Sequence, residues 1–138
     1  MIRTATAQWF GTIKEGKGEL TTQSETLNKT NFSFKTRVEE QEKGTNPEEL
    51  LAGAHSACFT MAVSFALTEK GLNPASLHTK ATLSMQGFSI TGMHLSITGS
   101  VSGIDAEEFD AITKDAEKNC LVSKVLNIPI SSESHFVF

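Results

Sequence analysis

Apolar residues recur along the chain with two different periods, and the switch between them marks out the elements. Residues 4–10 and 31–38 alternate as strands, the second with Phe32, Phe34, Thr36 and Val38 on one face and Ser33, Lys35 and Arg37 on the other. Arg37 is therefore expected to leave the apolar face. The polar stretch 11–29, punctuated by Gly11, Gly16 and Gly18, predicts a hairpin with a mobile connection. A long helix should open at Asn46, a good N-cap, followed by Pro47 at the first helical position and by Glu48 and Glu49 at the positive end of the helix dipole. Leu50, Ala54, Cys58, Met61 and Phe65 follow one stripe. Leu51, Ala57, Ala62 and Ala66 widen it until little polar face is left, which predicts a largely buried helix. Gly71 should terminate it, and Pro74 prevents a restart.

Two further alternating runs, 77–85 and 93–101, predict a hairpin that turns within 87–92. Asp105 caps a second helix, with Glu108 at its third position and Phe109, Ile112 and Ala116 on its buried side, ending near Asn119. Cys120 opens a short helix over 121–126, and 128–138 reads as a last strand with Pro129 near its beginning. Strands, a helix, two strands, two helices and a strand define an α+β fold rather than alternating βαβ units, in a single domain over 1–138.

Composition narrows the function. With 138 residues, 38% of them apolar, the core is modest, and burial of further surface in a dimer would add stability. A net charge of −4, with 12 Lys and Arg scattered among acids, excludes a nucleic-acid binder. The N-terminal residues carry no secretory pattern, and no stretch reads as the roughly 18 apolar residues of a membrane span, so the expected location is the cytoplasm, with no membrane partner. Cys58 and Cys120 have neither a zinc spacing nor a redox Cys-x-x-Cys spacing, and a reducing cytosol disfavours a permanent disulfide between them. By themselves they read first as two buried free thiols acting as small apolar residues, and their surroundings must decide. The glycine-rich run 11–18 lacks the Ser or Thr that a phosphate loop needs where Gly18 stands. His55 lacks the further ligands that a metal site requires, so no metal is implied.

The run 44–59, GTNPEELLAGAHSACF, resembles the signature helix of the family of osmotically inducible OsmC and organic-hydroperoxide-resistance (Ohr) proteins. Further similar segments are 9–18, 27–28, 34–37, 103–105 with 109–110, and 119–126, so the resemblance covers almost the whole chain. Leu121 departs from it, standing where proline is usual. The resemblance implies the OsmC-like fold: an intertwined homodimer whose curved sheets wrap two long central helices. It also implies a peroxiredoxin-like hydroperoxide reductase, active in oxidative and osmotic stress defence, with Cys58, Cys120, Arg37 and Glu48 as its catalytic set. No cofactor is implied, only a hydroperoxide substrate and an external dithiol or lipoyl-type reductant.

The residues fit that chemistry. A thiolate cuts a peroxide and becomes a sulfenic acid, which needs an acidic thiol and a donor for the developing oxyanion. Cys58 lies about three turns into its helix, beyond the reach of that helix's own dipole, so a cation must come from elsewhere. Arg37 matches the family's arginine, and Glu48 matches the carboxylate that would hold it. Glu48 and Cys58 are separated by about 15 Å along a straight helix, so a site using both needs Arg37 to span the gap or a second chain to contribute. Cys120, at a helix start, reads as the resolving thiol, with the helix N-terminus favouring its thiolate. The alternative is a non-catalytic OsmC-like stress or binding domain, which would be expected to lack a thiol or the arginine.

Overall fold

The computed structural model describes residues 1–137, in two compact units, Met1–Leu50 and the residues from Leu51 onward. In the first unit, β1 (Ala5–Phe10), β2 (Lys17–Thr22) and β3 (Thr30–Phe32) form an antiparallel sheet in that order. The predicted hairpin is present, but β2 lies inside the stretch expected to be mobile; with Leu20 its one large apolar residue, β2 gives little alternation to read. Gly18 pairs with Trp9 on one side and Phe32 on the other. A side chain at Gly18 would collide with the Phe32 ring, whose centroid lies 5.8 Å from that of Trp9.

The strand predicted over 31–38 ends at Phe32. Residues Phe34–Val38 instead form a short helix, α1, because Ser33 and Thr36 close a reciprocal capping box. The Ser33 hydroxyl accepts from the Thr36 amide at 3.1 Å, and the Thr36 hydroxyl oxygen accepts from the Ser33 amide at 2.8 Å. Two backbone donors satisfied locally outweigh four positions of weak alternation. Arg37 thereby comes to lie on a helix.

Helix α2 (Pro47–Glu69) starts and stops where expected. Asn46 Oδ1 accepts from the Glu49 amide at 2.8 Å. At the other end Gly71 adopts φ 76°, and the Leu72 and Gly71 amides donate to Leu67 and Thr68, a Schellman ending. The expected burial is corrected. His55, Phe59, Val63 and Leu67 form the buried stripe, one residue every fourth position, whereas Met61 and Phe65 are 72% and 67% exposed. Apolar residues are spread almost evenly round α2, so periodicity could not select a face. With a mean hydropathy of 1.6, α2 is also long and apolar enough to cross a membrane, contrary to the sequence expectation; its buried stripe packs in a protein core.

In the second unit β4 (Pro74–Gln86) and β5 (Ser89–Val101) pair antiparallel around a turn at Gly87 and Phe88, tighter than the predicted 87–92. The third strand, β6 (Ile130–Val137), pairs parallel to β5, reached through α3 (Ala106–Asn119) and α4 (Leu121–Val125). Of the predicted last strand, residue 138 lies outside the described residues. Met93, Leu95, Ile97 and Val101 point into the core from β5, the middle strand. Asp105 caps α3 through the Glu108 amide at 2.9 Å, and α3 buries Phe109, Ile112, Thr113 and Ala116.

The tip of the Phe109 ring sits against Gly99 of β5, and the ring centroid is 5.6 Å from that of Phe136 on β6. A methyl group at 99 would fall inside that fully buried ring. Gly99→Ala should therefore cost about 1–3 kcal/mol through overpacking, read as a lower urea midpoint with an unchanged slope; a midpoint at or above that of the parent would show that Phe109 can yield.

Candidate active site

Both cysteines are free thiols in the second unit, Cys58 half-buried on α2 and Cys120 1% exposed in the core. Cys120 is at once the last cap of α3 and the first of α4: its amide donates to the Ala116 carbonyl at 2.9 Å and its carbonyl accepts from the Lys124 amide at 3.1 Å. The chain turns sharply there, at φ −57° and ψ 130°, leaving the next amides outside both helical hydrogen-bond ladders. Those amides address the sulfur of Cys58.

The electrostatics follow from this. Burial pushes the Cys58 thiol up, but the Val122 amide, the Cys120 thiol and the Leu121 amide donate to its sulfur and together bring it below the ordinary thiol value. Burial also raises Cys120, and donation to Cys58 raises it further, since a thiol that gives its proton to a neighbouring thiolate holds that proton more tightly. The Ser123 amide and hydroxyl and the Val122 amide oppose this without reversing it. The pair is thus one acidic thiol, Cys58, and one weakly acidic thiol, Cys120. The expectation that the helix start would favour a Cys120 thiolate is corrected. The amides of Val122 and Leu121 favour the Cys58 thiolate, whereas burial and the proton shared with Cys58 outweigh the amides that favour Cys120.

One turn away stands a second pair. His55, fully buried on α2 three residues before Cys58, places Nε2 2.7 Å from the hydroxyl of Ser123, three residues after Cys120. Its Nδ1 is buried without a hydrogen-bond partner among the described residues. Burial lowers the imidazole pKa while the Glu117 carboxylate opposes that, so the ring is neutral near pH 7. Leaving a buried polar atom unpaired costs about 1–3 kcal/mol. The sequence reading missed Ser123, although the spacing His55-x-x-Cys58 beside Cys120-x-x-Ser123 places both pairs on matching helical faces.

Arg37 and Glu48 meet in the first unit. The guanidinium Nε lies 3.0 Å from one Glu48 carboxylate oxygen and 3.3 Å from the other, with the side chains 34% and 15% exposed. Arg37 also borders an apolar cleft of about 150 Å³ formed with Trp9, Ile13, Phe32, Phe34 and Pro47. Of the four residues singled out in the sequence, two pairs are thus brought together, Cys58 with Cys120 and Arg37 with Glu48. Each pair lies within its own unit.

A fold with a paired-thiol centre of this kind defines a class, and sequence comparison identifies it. The sequence model of the family described as OsmC-like protein matches residues 40–134. The chain belongs to that family. It is 47% identical over 129 residues to the peroxiredoxin OsmC of Escherichia coli (strain K12), covering 91% of this chain and 90% of that protein. It is also 33% identical over 107 residues to the organic hydroperoxide resistance protein OhrA of Bacillus subtilis (strain 168), covering 70% and 72%. Among solved structures, an OsmC-like protein of unknown function from Vibrio cholerae superposes with a TM-score of 0.76 at 15% identity, covering 97% of this chain and 99% of that one. An OsmC-like protein from Mycoplasma pneumoniae does so with the same TM-score at 15% identity, covering 100% and 99%. The expected OsmC-like α+β fold is borne out.

Proposed function

We propose that the protein is a cysteine-based peroxidase that reduces organic hydroperoxides to alcohols, with Cys58 as its peroxidatic thiol and Cys120 as its resolving thiol. The observation that carries this reading is the sulfur pair itself: a thiol made acidic by the Val122 and Leu121 amides, with a second thiol donating to it. The Cys58 thiolate attacks the terminal peroxide oxygen, the O–O bond breaks, and the leaving alkoxide takes a proton to become the alcohol, which leaves a sulfenic acid. The Cys120 sulfur then attacks the Cys58 sulfur. The thiol proton and the departing hydroxide leave as water, and a Cys58–Cys120 disulfide remains. An external dithiol, of which a lipoyl group is one kind, reduces that disulfide by exchange and is itself oxidised to a disulfide, so no bound cofactor takes part.

Arg37 supplies the cation that stabilises the developing oxyanion, and Glu48 holds its guanidinium in place. The Phe- and Met-rich flanks of Cys58, with Phe59, Met61 and Phe65, favour an organic hydroperoxide over hydrogen peroxide. The chain acts as one domain over its whole length, in the cytoplasm, where the reducing pool keeps both thiols available.

With one equivalent of tert-butyl hydroperoxide, mass spectrometry should show a disulfide in the parent protein, a sulfenic or overoxidised Cys58 in Cys120→Ser, and no oxidation at Cys120 in Cys58→Ser. Turnover with a dithiol should vanish in Cys58→Ser. In Arg37→Ala it should fall by roughly a hundredfold or more, about 3 kcal/mol, the usual cost of one lost transition-state donor. Retained turnover in Cys58→Ser would end the assignment, and an unchanged rate in Arg37→Ala would reduce Arg37 to surface charge.

The working form is a homodimer. Met61 and Phe65 of α2 and Leu121 and Val125 of α4, all in the second unit, are 72%, 67%, 72% and 78% exposed, and each large apolar side chain gains about 1.5–3 kcal/mol when covered. Sedimentation should give twice the chain mass of 14.9 kDa, and Phe65→Glu with Met61→Glu should reduce it to one chain. A parent protein that sediments as a monomer would contradict the dimer.

A further inference from the structure

Helix α4 has five residues, buries none of them, and has no side-chain hydrogen bond at its start. Its amides nonetheless have to stay on the sulfur of Cys58, and something must hold them there. Val122 packs against the core, but the polar side-chain tie that α4 makes is Ser123 to His55, at 2.7 Å. His55 and Cys58 are three residues apart on α2, as Cys120 and Ser123 are at α4, so the pairs 55–123 and 58–120 stand as neighbouring rungs between two helices.

The bond between His55 and Ser123 engages Nε2, and the other ring nitrogen, Nδ1, is left buried without a partner among the described residues. A purely apolar residue would fill that core position without an orphaned atom. The imidazole stands there at that cost, and its Nε2 reaches across to α4.

We propose that His55 and Ser123 are positioning residues for the second half of the cycle: their rung holds the α4 amides against Cys58 and keeps Cys120 in register to close the disulfide. The inference rests on the peroxidase reading for its meaning in turnover. The geometry it claims can be tested without peroxide. When the Cys58 sulfur is a sulfenic acid, Cys120 must attack it along the S–O axis, releasing water. A slack α4 would lose both the acidity of Cys58 and that alignment.

The test compares the parent protein with Ser123→Ala and Ser123→Thr. Differential alkylation with mass readout gives the pH midpoint of Cys58, and stopped-flow gives the rate of disulfide closure, driven first by a diazene thiol oxidant and then by tert-butyl hydroperoxide. Ser123→Ala should raise the Cys58 midpoint by about one pH unit and slow closure about tenfold, so that a sulfenic-acid probe traps Cys58. Ser123→Thr, which restores the hydroxyl, should recover both. A merely structural Ser123 would lower the melting temperature and leave the midpoint where it was. Should Ser123→Ala not fold, His55→Gln takes its place, with the same two expectations. A folded variant with either value unchanged overturns the proposal. Absence of peroxide turnover in the parent would instead remove the peroxidase reading, with the midpoint and the oxidant-driven closure still deciding the rung.

Discussion

The catalytic reading depends on one contact, the meeting of the Cys120 turn with the flank of α2. A thiol in the middle of a helix is poorly placed for chemistry, since that helix's own amides are all engaged and its dipole acts within the first turn. The structure supplies free amides from another element. Where α3 ends and α4 begins, the backbone amides of Leu121 and Val122 are left outside a hydrogen-bond ladder and are turned to the Cys58 sulfur. The same turn carries Cys120, so the residue that resolves the sulfenic acid arrives with the groups that activate the nucleophile. Activation and resolution are therefore linked in one backbone feature, with His55 and Ser123 beside it.

Much of this was legible in the sequence. Asn46-Pro47-Glu48-Glu49 announced the start of α2, Gly71 its end, and Asp105 with Glu108 the start of α3, because caps are local and their residues have few other reasons to stand at those spacings. The strands β4 and β5 were clear from alternation. The errors have physical causes too. Residues 33–38 alternate like a strand, but the Ser33–Thr36 capping box satisfies backbone donors more cheaply than an edge strand would. In α2, apolar residues on every side leave the inward face to tertiary packing, and packing chose His55, Phe59, Val63 and Leu67. A histidine at the head of a buried stripe is not what hydrophobic patterning looks for.

The site residues divide in the same way. Cys58, Cys120, Arg37 and Glu48 came from the family resemblance of the sequence, and the structure adds their pairings, sulfur with sulfur and guanidinium with carboxylate. What the resemblance did not contain was direction. From sequence, the helix start was expected to favour a Cys120 thiolate and a cation to activate Cys58. Amides act on the atom they point at, and that is a matter of tertiary geometry which no spacing rule encodes. Backbone donors carry no residue identity and so leave no trace in a sequence: the amide of Leu121 donates to Cys58, a contact that a proline at 121 could not make.

The central claim is therefore an ordering of two thiols, and titrating each separately tests it most directly. Samples of the reduced protein alkylated briefly at a series of pH values, then digested and quantified by mass, give one profile for Cys58 and another for Cys120. Normalising each to its own plateau removes the slower reaction of the buried Cys120. The account predicts a Cys58 midpoint below the ordinary thiol value and a Cys120 midpoint above it, with the two separated further than two uncoupled thiols would be. A Cys120 midpoint at or below that of Cys58 would mean that the amides of α4 serve the other sulfur, and the assignment of nucleophile and resolver would fail.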